Sequence, residues 1–571
     1  MFKKQYETNP PVNAKGGKRR ILSKALKIFL VLFLIIIIMV VLFFMKVGEW
    51  GDKSMQAESF AITSFAGAEP IEVTLTAKDK EEDFLYLYNS LKNGCPQAGI
   101  KVNGKSVLDR KDELLEIVKS TKNNLDFYCV MNSITANIPS CHTNIVTNAD
   151  MFKLFSEAFN ASNVILAENA NAYAAYWDSF YQENQVKPDI STHVEFFYIG
   201  GKYIYSPAYS CLSEEYTGSE LVSVNGIPAD EYAIEKLYPS MIRYDACNKK
   251  WCRNRADFNT VSGEKAEVRI KKSDETEEVL NLYFDITNSA KFLMNYASVQ
   301  APMTSEECYS FEMHDGICYL KLNSFMDNSI YEIESKLAEL DENVPLIIDV
   351  RDNGGGMTEK LTDYFYPLLY NTPAEFGQHI YVKKHGEISK PIYSVLWVLF
   401  NKVKIVNGKK IDAPIGGYYY DMEDKRYAEG GGNSTRDIYI LIGKNSFSAT
   451  DMFARITKGK EGTLLIGTNT GGESSVSNYY MDILPNSRLA YLYTPSFSIN
   501  ADGENNAIYG TAPDIYKELT AENYLLRCEI EENGQDPYTY ENRMKWDNVL
   551  TETIEMIKEN ENDKRNNPPN E

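Results

Sequence analysis

The sequence predicts an α/β layered domain preceded by a helical region and a β-rich module, all of it following a single N-terminal membrane span. Three observations carry this expectation. From Gly316 onward the apolar strand runs Ile317–Leu322, Leu346–Val350, Ile438–Ile442 and Leu464–Gly467 alternate with helical segments, the order of an α/β layer structure. Between about 190 and 290 the apolar runs are short and separated by turn residues, as in a compact β unit. Near the N-terminus an unbroken apolar run from Ile28 to Met45 is long enough to cross most of the hydrocarbon core of a bilayer.

That run follows a basic cluster, Lys15, Lys18, Arg19, Arg20, Lys24 and Lys27. Basic residues stay on the cytoplasmic side, so the reading is a single-pass cell-membrane protein whose N-terminus is inside and whose remainder, after Lys46, is outside. The alternative is a cleaved signal peptide. Such peptides carry an apolar stretch of about 7–15 residues and small residues at the cut site. Here the stretch is longer and Lys46-Val47-Gly48-Glu49-Trp50 follows it. The expected boundaries are 1–27 for the basic segment, 28–46 for the anchor, 47–75 for a linker and 76–185 for a helical domain. The β-rich module takes 186–295, the α/β domain 300–525, and a C-terminal helix with a disordered tail 526–571.

The helical domain is read from apolar residues at helical spacing in Asp83–Leu91 and again in Leu114–Val118. The β-rich module is read from Val194–Ile199 and Ala266–Ile270, and contains Gly218–Pro228, a strand running into an Asn225-Gly226 turn. That stretch resembles the corresponding one of PDZ domains, although any hairpin with an Asn-Gly turn reads alike. Past about 525 the chain turns polar, with one amphipathic stretch from Trp546 to Ile557.

Composition narrows the function. With 44% hydrophobic and 24% charged residues in 571, the chain is globular and large enough for several folded units. A formal net charge of -21 argues against nucleic acid as a partner, because phosphate binding needs clustered Lys and Arg. All nine cysteines lie after the anchor, where disulfides can form, with Cys247 and Cys252 the local pair; an odd count leaves one over. No Cys-x-x-Cys occurs and the histidines are scattered, so neither a metal nor any other cofactor is expected. Cys141 beside His142 is the one suggestive arrangement for a catalytic thiol.

Two segments carry the chemistry. In Pro345–Gly356 a buried strand ends in Asp349-Val350-Arg351-Asp352-Asn353-Gly354-Gly355-Gly356, and the three glycines permit backbone conformations that present N–H groups to a neighbouring oxyanion. A tight turn or a phosphate cradle would use glycines too, but no Gly-Lys-Ser/Thr follows. In the second segment the strand Asp437–Ile442 leads into Gly443-Lys444-Asn445-Ser446-Phe447-Ser448-Ala449-Thr450-Asp451. A serine opening a helix there is placed as a nucleophile at the helix's positive end, with the N–H of the next residue available to an oxyanion. Ordinary helix capping is the competing role.

Together these segments resemble the tail-specific, or C-terminal-processing, serine peptidases of family S41. In that family a strand ending Asp-x-Arg-x-Asn-Gly-Gly-Gly precedes Ser-x-Ser-Ala-x-Glu/Asp. The resemblance extends to Gly316–Phe325 and to Gly510-Thr511-Ala512-Pro513-Asp514, covering roughly residues 300–520. It implies a catalytic domain of ClpP/crotonase-like type, a preceding PDZ-like module and Ser448 as nucleophile. Gly354, Gly355, Gly356 and Ala449 would then form the oxyanion hole. It also implies polypeptide substrates, held by their C-terminal region. One departure bears on mechanism. The bacterial processing proteases carry a lysine base after the serine in Gly-Glu-x-Thr-Phe-Gly-Lys, where this chain reads Gly467-Thr468-Asn469-Thr470-Gly471-Gly472-Glu473.

The non-lysine, tricorn-like branch of the family instead carries a histidine in the helical region ahead of the PDZ domain. Ser140-Cys141-His142-Thr143 lies there and is similar to the branch's Asp-Gly-His-Thr element, with Ser-Cys replacing Asp-Gly. An imidazole titrates near pH 6.5 and can act as base at neutral pH, which makes His142 the expected base. His193, His314, His379 and His385 sit in no such motif, and Lys321 is a fallback. Glu473 and Glu504 are the acids considered for orienting the imidazole. The expectation is a membrane-anchored serine endopeptidase acting outside the cytoplasm. The alternative is an inactive, membrane-tethered peptide-binding or scaffold protein of the same fold.

Overall fold

The computed structural model describes residues 71–566 apart from 149–151, 153–169, 185–190, 292–308, 326–329, 384–402, 407–408, 413, 416–418, 432–435, 474–478 and 500–502. The expected anchor, its basic flank, most of the linker and the proline-containing tail lie outside the described residues. Among the described residues no helix is long and apolar enough to cross a membrane.

The catalytic region is built on a six-stranded sheet in the order Tyr309–His314, Ile317–Leu322, Leu346–Asp349, Ile438–Ile442, Thr463–Gly467, Ile515–Tyr516. The first pair is an antiparallel hairpin and the remaining neighbours are parallel. Strands of this kind are buried on both faces, which explains why they read as continuous apolar runs. On one face Cys318, Leu320, Leu346, Ile348, Ile438 and Ile440 pack against the helix Ala449–Thr457 and the segment Lys360–Leu369. On the other, Ile317, Tyr319, Ile347, Tyr439, Leu441 and Ile466 pack against Val549, Leu550, Ile554 and Ile557.

That second face corrects the expected C-terminal boundary. Residues after 525 form three helices, counting the one that starts at Ala521: Ala521–Glu532, Tyr540–Trp546 and Asn548–Asn566. The last is a layer of the catalytic domain and no appendage to it. A buried ion network fastens it: Arg351 bonds Asp349 and Asp547 at 2.6 Å each, and Arg543 reaches Asp349 at 3.1 Å.

The helical region also differs from a separate domain. Its helices Ala77–Gly94, Lys111–Ser120, Asn124–Ala136 and Ala170–Glu183 bury Phe84, Leu87, Leu114, Val118, Phe127 and Trp177 in one core with Leu484, Leu489, Tyr491 and Tyr493. The first helix starts in a capping box, Thr76 with Asp79, which satisfies two of the end's orphan donors. Within the same region, strand Asn144–Val146 pairs antiparallel with Ala490–Tyr493. This pairing carries the Ser140–His142 turn to the catalytic domain.

Residues 193–284 form a seven-stranded antiparallel sheet in which Lys202–Tyr205 also pairs with Glu220–Val224. Its one core helix is Ala229–Glu235. The Asn225-Gly226 turn is present, with φ of +52° and +78° at the two residues. Cys247 is exposed in the turn between Ile242–Asp245 and Lys250–Arg253, while Cys252 is buried on the second strand, and both are free thiols.

Candidate active site

Ser448 sits at the sharp turn between strand Ile438–Ile442 and helix Ala449–Thr457. Its backbone adopts φ +55° and ψ −120°, a conformation that L-residues avoid and that typically costs about 1–3 kcal/mol. No cap bond holds its hydroxyl, so the capping role does not apply. The other serine of the motif has a different job. Ser446 is fully buried; its hydroxyl donates to the Val350 carbonyl at 2.8 Å and accepts from Gly443 N–H at 3.1 Å, joining the Ser448 turn to the glycine strand.

The glycine loop lies directly against this turn. A Cβ on Gly355 would stand 2.8 Å from the Phe447 carbonyl oxygen and 2.8 Å from Ser448 Cβ, and its φ of +110° excludes other residues as well. Asn353, fully buried, organises the loop. Its side-chain oxygen accepts from Gly355 N–H at 2.9 Å and its carbonyl from Phe447 N–H at 3.3 Å. Gly355, expected as an oxyanion donor, therefore has its N–H committed inward. Among the described residues no hydrogen bond claims the N–H of Gly354, Gly356 or Ala449.

Behind the serine the segment from Gly467 to Glu473 folds under the helix. Ser448 N–H donates to the Gly472 carbonyl at 2.9 Å. Gly472 has φ +81°, and a Cβ there would fall 2.0 Å from the Asn506 carbonyl. Asp451, the acid of the serine motif, is fully buried and accepts from Thr511 Oγ1 at 2.6 Å, from Asn506 Nδ2 at 3.1 Å and from Thr470 Oγ1. It binds the helix to the two loops that flank it.

Glu473 follows Gly472 and is buried, with φ +60°. Its Oε2 stands 2.9 Å from His142 Nδ1 and accepts from Cys141 N–H at 2.8 Å and Cys141 Sγ at 2.7 Å. Burial pushes its carboxyl up, but His142, with hydrogen bonds from His142, Cys141 and Ser140, outweighs burial and holds it below the ordinary carboxylate range. The position that carries a lysine in the bacterial enzymes thus holds an ionised acid gripping an imidazole. Glu504, the other acid considered, is exposed ahead of the short helix Asn506–Tyr509. Lys321 faces the opposite layer, 3.6 Å from Asp352 and beneath the ring of Tyr538, and its amine is pushed down chiefly by burial.

Cys141 Sγ, His142 Nδ1 and Glu473 Oε2 are donor types that could hold a metal, but here they satisfy one another through hydrogen bonds. Burial and the Glu473 charge push the Cys141 thiol well up, which removes it as a thiolate nucleophile at neutral pH. A cleft of about 40 Å³ opens beside the pair, lined by Cys141, Arg243, Tyr244, Phe447 and Gly471, so the helical region, the β-rich module and the catalytic region all meet there. Arg243 is held by the Lys444 carbonyl at 2.7 Å and lies over the Phe447 ring.

The strand-to-glycine and strand-to-serine pair lies within residues 316–517, which match the model of peptidase family S41. The chain carries a peptidase family S41 domain over residues 316–517. It is a serine-type peptidase. No curated protein matches it by sequence. Among solved structures this chain is similar to mature CPAF complexed with lactacystin, at 14% identity, TM-score 0.43, 80% of this chain and 97% of that one. It is also similar to the photosystem II D1 C-terminal processing protease, at 13% identity, TM-score 0.31, with 78% and 94% covered. A third similar structure is the tricorn protease, at 15% identity, TM-score 0.28, with 84% and 37% covered.

The sequence pointed to Ser448, His142, Glu473 and the glycine loop separately, and all four come to one place in the fold. Asn353, Ser446 and Asp451 were missed as positioning residues. Their only sequence signal is that they stand inside the two motifs.

Proposed function

We propose that this S41 peptidase is a membrane-anchored endopeptidase that cleaves extracytoplasmic polypeptides through an acyl-enzyme on Ser448. Residues 28–46 would hold it in the membrane with the catalytic domain outside, as the basic cluster before them argues. The observation that carries the catalytic part is the His142–Glu473 pair at 2.9 Å, one residue from the Gly472 carbonyl that takes the Ser448 N–H.

With Nδ1–H donated to Glu473, His142 presents Nε2 as the basic nitrogen. In this reading Nε2 takes the Ser448 hydroxyl proton as Oγ attacks the scissile carbonyl, then delivers that proton to the leaving amine. Water repeats the cycle on the acyl-enzyme, restoring the serine and releasing the acid. The negative oxygen of each tetrahedral intermediate is met by N–H groups of Ala449 and of Gly354 or Gly356, each such donor contributing about 3–4 kcal/mol. Glu473 remains ionised throughout and stabilises the imidazolium. The β-rich module, read as PDZ-like, would hold an extended peptide by its C-terminal region at a sheet edge.

The test is labelling of the purified full chain with a fluorophosphonate, followed by peptide mapping, alongside turnover of an unfolded polypeptide. The adduct is expected on Ser448 and both readouts should vanish in Ser448→Ala and His142→Ala. Labelling elsewhere, or turnover that survives Ser448→Ala, would sink the assignment.

A further inference from the structure

One buried polar cluster lies away from the catalytic residues, on the β-rich module. Strands His193–Ile199 and Arg255–Asn259 pair antiparallel with Glu195 directly opposite Asp257. Strand alternation turns Val194, Phe196, Ala256 and Phe258 into the module's core, and His193, Glu195, Arg255 and Asp257 to the other face. That face is also closed to water. Glu195 and Asp257 are fully buried, His193 and Arg255 nearly so, and Phe197 on the same face packs against Tyr524 of the C-terminal helix Ala521–Glu532.

Two carboxylates directly opposite each other and out of water repel strongly, and such a pair persists only with cations beside it. Arg255 provides one, its Nη1 donating to Glu195 Oε1 at 2.6 Å. Glu195 Oε2 and both oxygens of Asp257 are left without a hydrogen bond among the described residues. His193 Nε2 stands 3.7 Å from Glu195 Oε2 and 3.5 Å from Asp257 Oδ1. Both separations are long for a charge-assisted N–H···O bond, which runs about 2.7–2.9 Å. The 3.5 Å separation is that of an edge of a coordination tetrahedron, since zinc bonds of about 2.0–2.2 Å place donors about 3.3–3.6 Å apart, and the 3.7 Å one is only slightly longer.

We propose that His193 Nε2, Glu195 Oε2 and Asp257 Oδ1 bind a zinc ion that clamps the two strands together. The donor set is one imidazole nitrogen and two carboxylate oxygens, which fits zinc and not magnesium or calcium, whose sites are built of oxygen. Arg255 serves as the outer partner that fixes the Glu195 carboxylate, the arrangement by which ligands are oriented in metal sites. The site is structural: it neutralises a buried repulsion in the module, at a position where metal binding adds directly to folding stability.

The test uses the full chain in detergent, stripped with a chelator and titrated first with Zn²⁺ and then, separately, with Co²⁺. Expected are one tightly held equivalent, a rise in melting temperature on zinc addition, and a tetrahedral cobalt spectrum lacking a thiolate charge-transfer band. Asp257→Asn should weaken zinc binding by more than the roughly 10- to 100-fold that loss of an outer partner costs, and abolish the rise in melting temperature. Three results would each overturn the proposal: no stoichiometric uptake, undiminished binding by Asp257→Asn, or a thiolate band assigning the metal to Cys141 with His142 and Glu473. If Asp257→Asn does not fold, uptake and the cobalt spectrum of the wild-type chain decide. Peptidase activity is not the readout, so failure here leaves the Ser448 mechanism standing.

Discussion

Replacing Glu473 with glutamine isolates the charge that holds His142. The side chain keeps its shape and the site its packing, while the carboxylate 2.9 Å from Nδ1 becomes a neutral amide. Two figures bound the effect. Exchanging a charge-assisted for a neutral hydrogen bond removes about 1.5 kcal/mol. Removing the full attraction between unit charges at this separation, in an effective dielectric of about 20, removes at most about 6 kcal/mol. In the proposed mechanism the imidazolium forms only as Ser448 gives up its proton, so the loss falls on the transition state. At about 1.4 kcal/mol per tenfold, kcat/KM should drop between about tenfold and 10⁴-fold, chiefly in kcat. The assay is steady-state turnover of an unfolded polypeptide, with the rate of fluorophosphonate acylation measured alongside and melting temperature as a control. A Glu473→Gln enzyme within about threefold of wild type, beside an inactive His142→Ala, would refute the orienting role and leave Glu473 as packing alone.

Because Ser448 holds φ +55°, glycine relaxes the turn: Ser448→Gly should be more stable than Ser448→Ala by about 1 kcal/mol in chemical denaturation, both being inactive. Gly355→Ala forces a methyl to within 2.8 Å of Ser448 Cβ and the Phe447 carbonyl, and should cost about 1–3 kcal/mol and most of the activity, read by denaturation and turnover. Arg351→Ala strands Asp349 and Asp547 and should destabilise by about 3–5 kcal/mol at neutral pH. Burial pushes the Asp349 carboxyl up, yet Arg351, Arg543 and Lys321 outweigh it and hold the folded value well below the unfolded one of about 3.9. Its stabilisation is therefore complete above about pH 4 and lost as pH falls toward the folded value, so the wild-type advantage over Arg351→Ala should narrow in acid. Leu550→Ala, at a fully buried position beneath the sheet, should cost about 2–5 kcal/mol, whereas a C-terminal helix outside the fold would lose almost nothing.

The parts legible in the sequence are those whose signal is contiguous. Parallel strands buried on both faces must be apolar throughout, so Leu346–Asp349 and Ile438–Ile442 announce themselves. The C-terminal helix Asn548–Asn566 was harder to read. Val549, Leu550, Ile554 and Ile557 of that polar stretch are buried against the sheet, and its attachment depends on ion pairs that join Asp547 and Arg543 to Arg351 and Asp349, far away in the chain. The glycine run was legible, but not which of its N–H groups is unclaimed among the described residues. Gly355 loses its N–H to Asn353 through a loop conformation that the letters Asn-Gly-Gly-Gly do not encode.

By itself the sequence singled out Ser448 as the candidate nucleophile, because it lies in a short segment whose strand, turn and helix are set by neighbours in the chain. It also marked the glycine loop as the candidate oxyanion site and set out His142, Glu473 and Glu504 as possible partners. Only the tertiary structure shows which acid stands beside the imidazole. Strand Asn144–Val146 pairs with Ala490–Tyr493, and this brings His142 to the buried carboxylate of Glu473 while Glu504 stays at the surface. The same holds for His193, Glu195 and Asp257, brought together by strand register. A carboxylate's role depends on its burial and on the cation it faces. Both are set by pairings across hundreds of residues, and no local pattern records them.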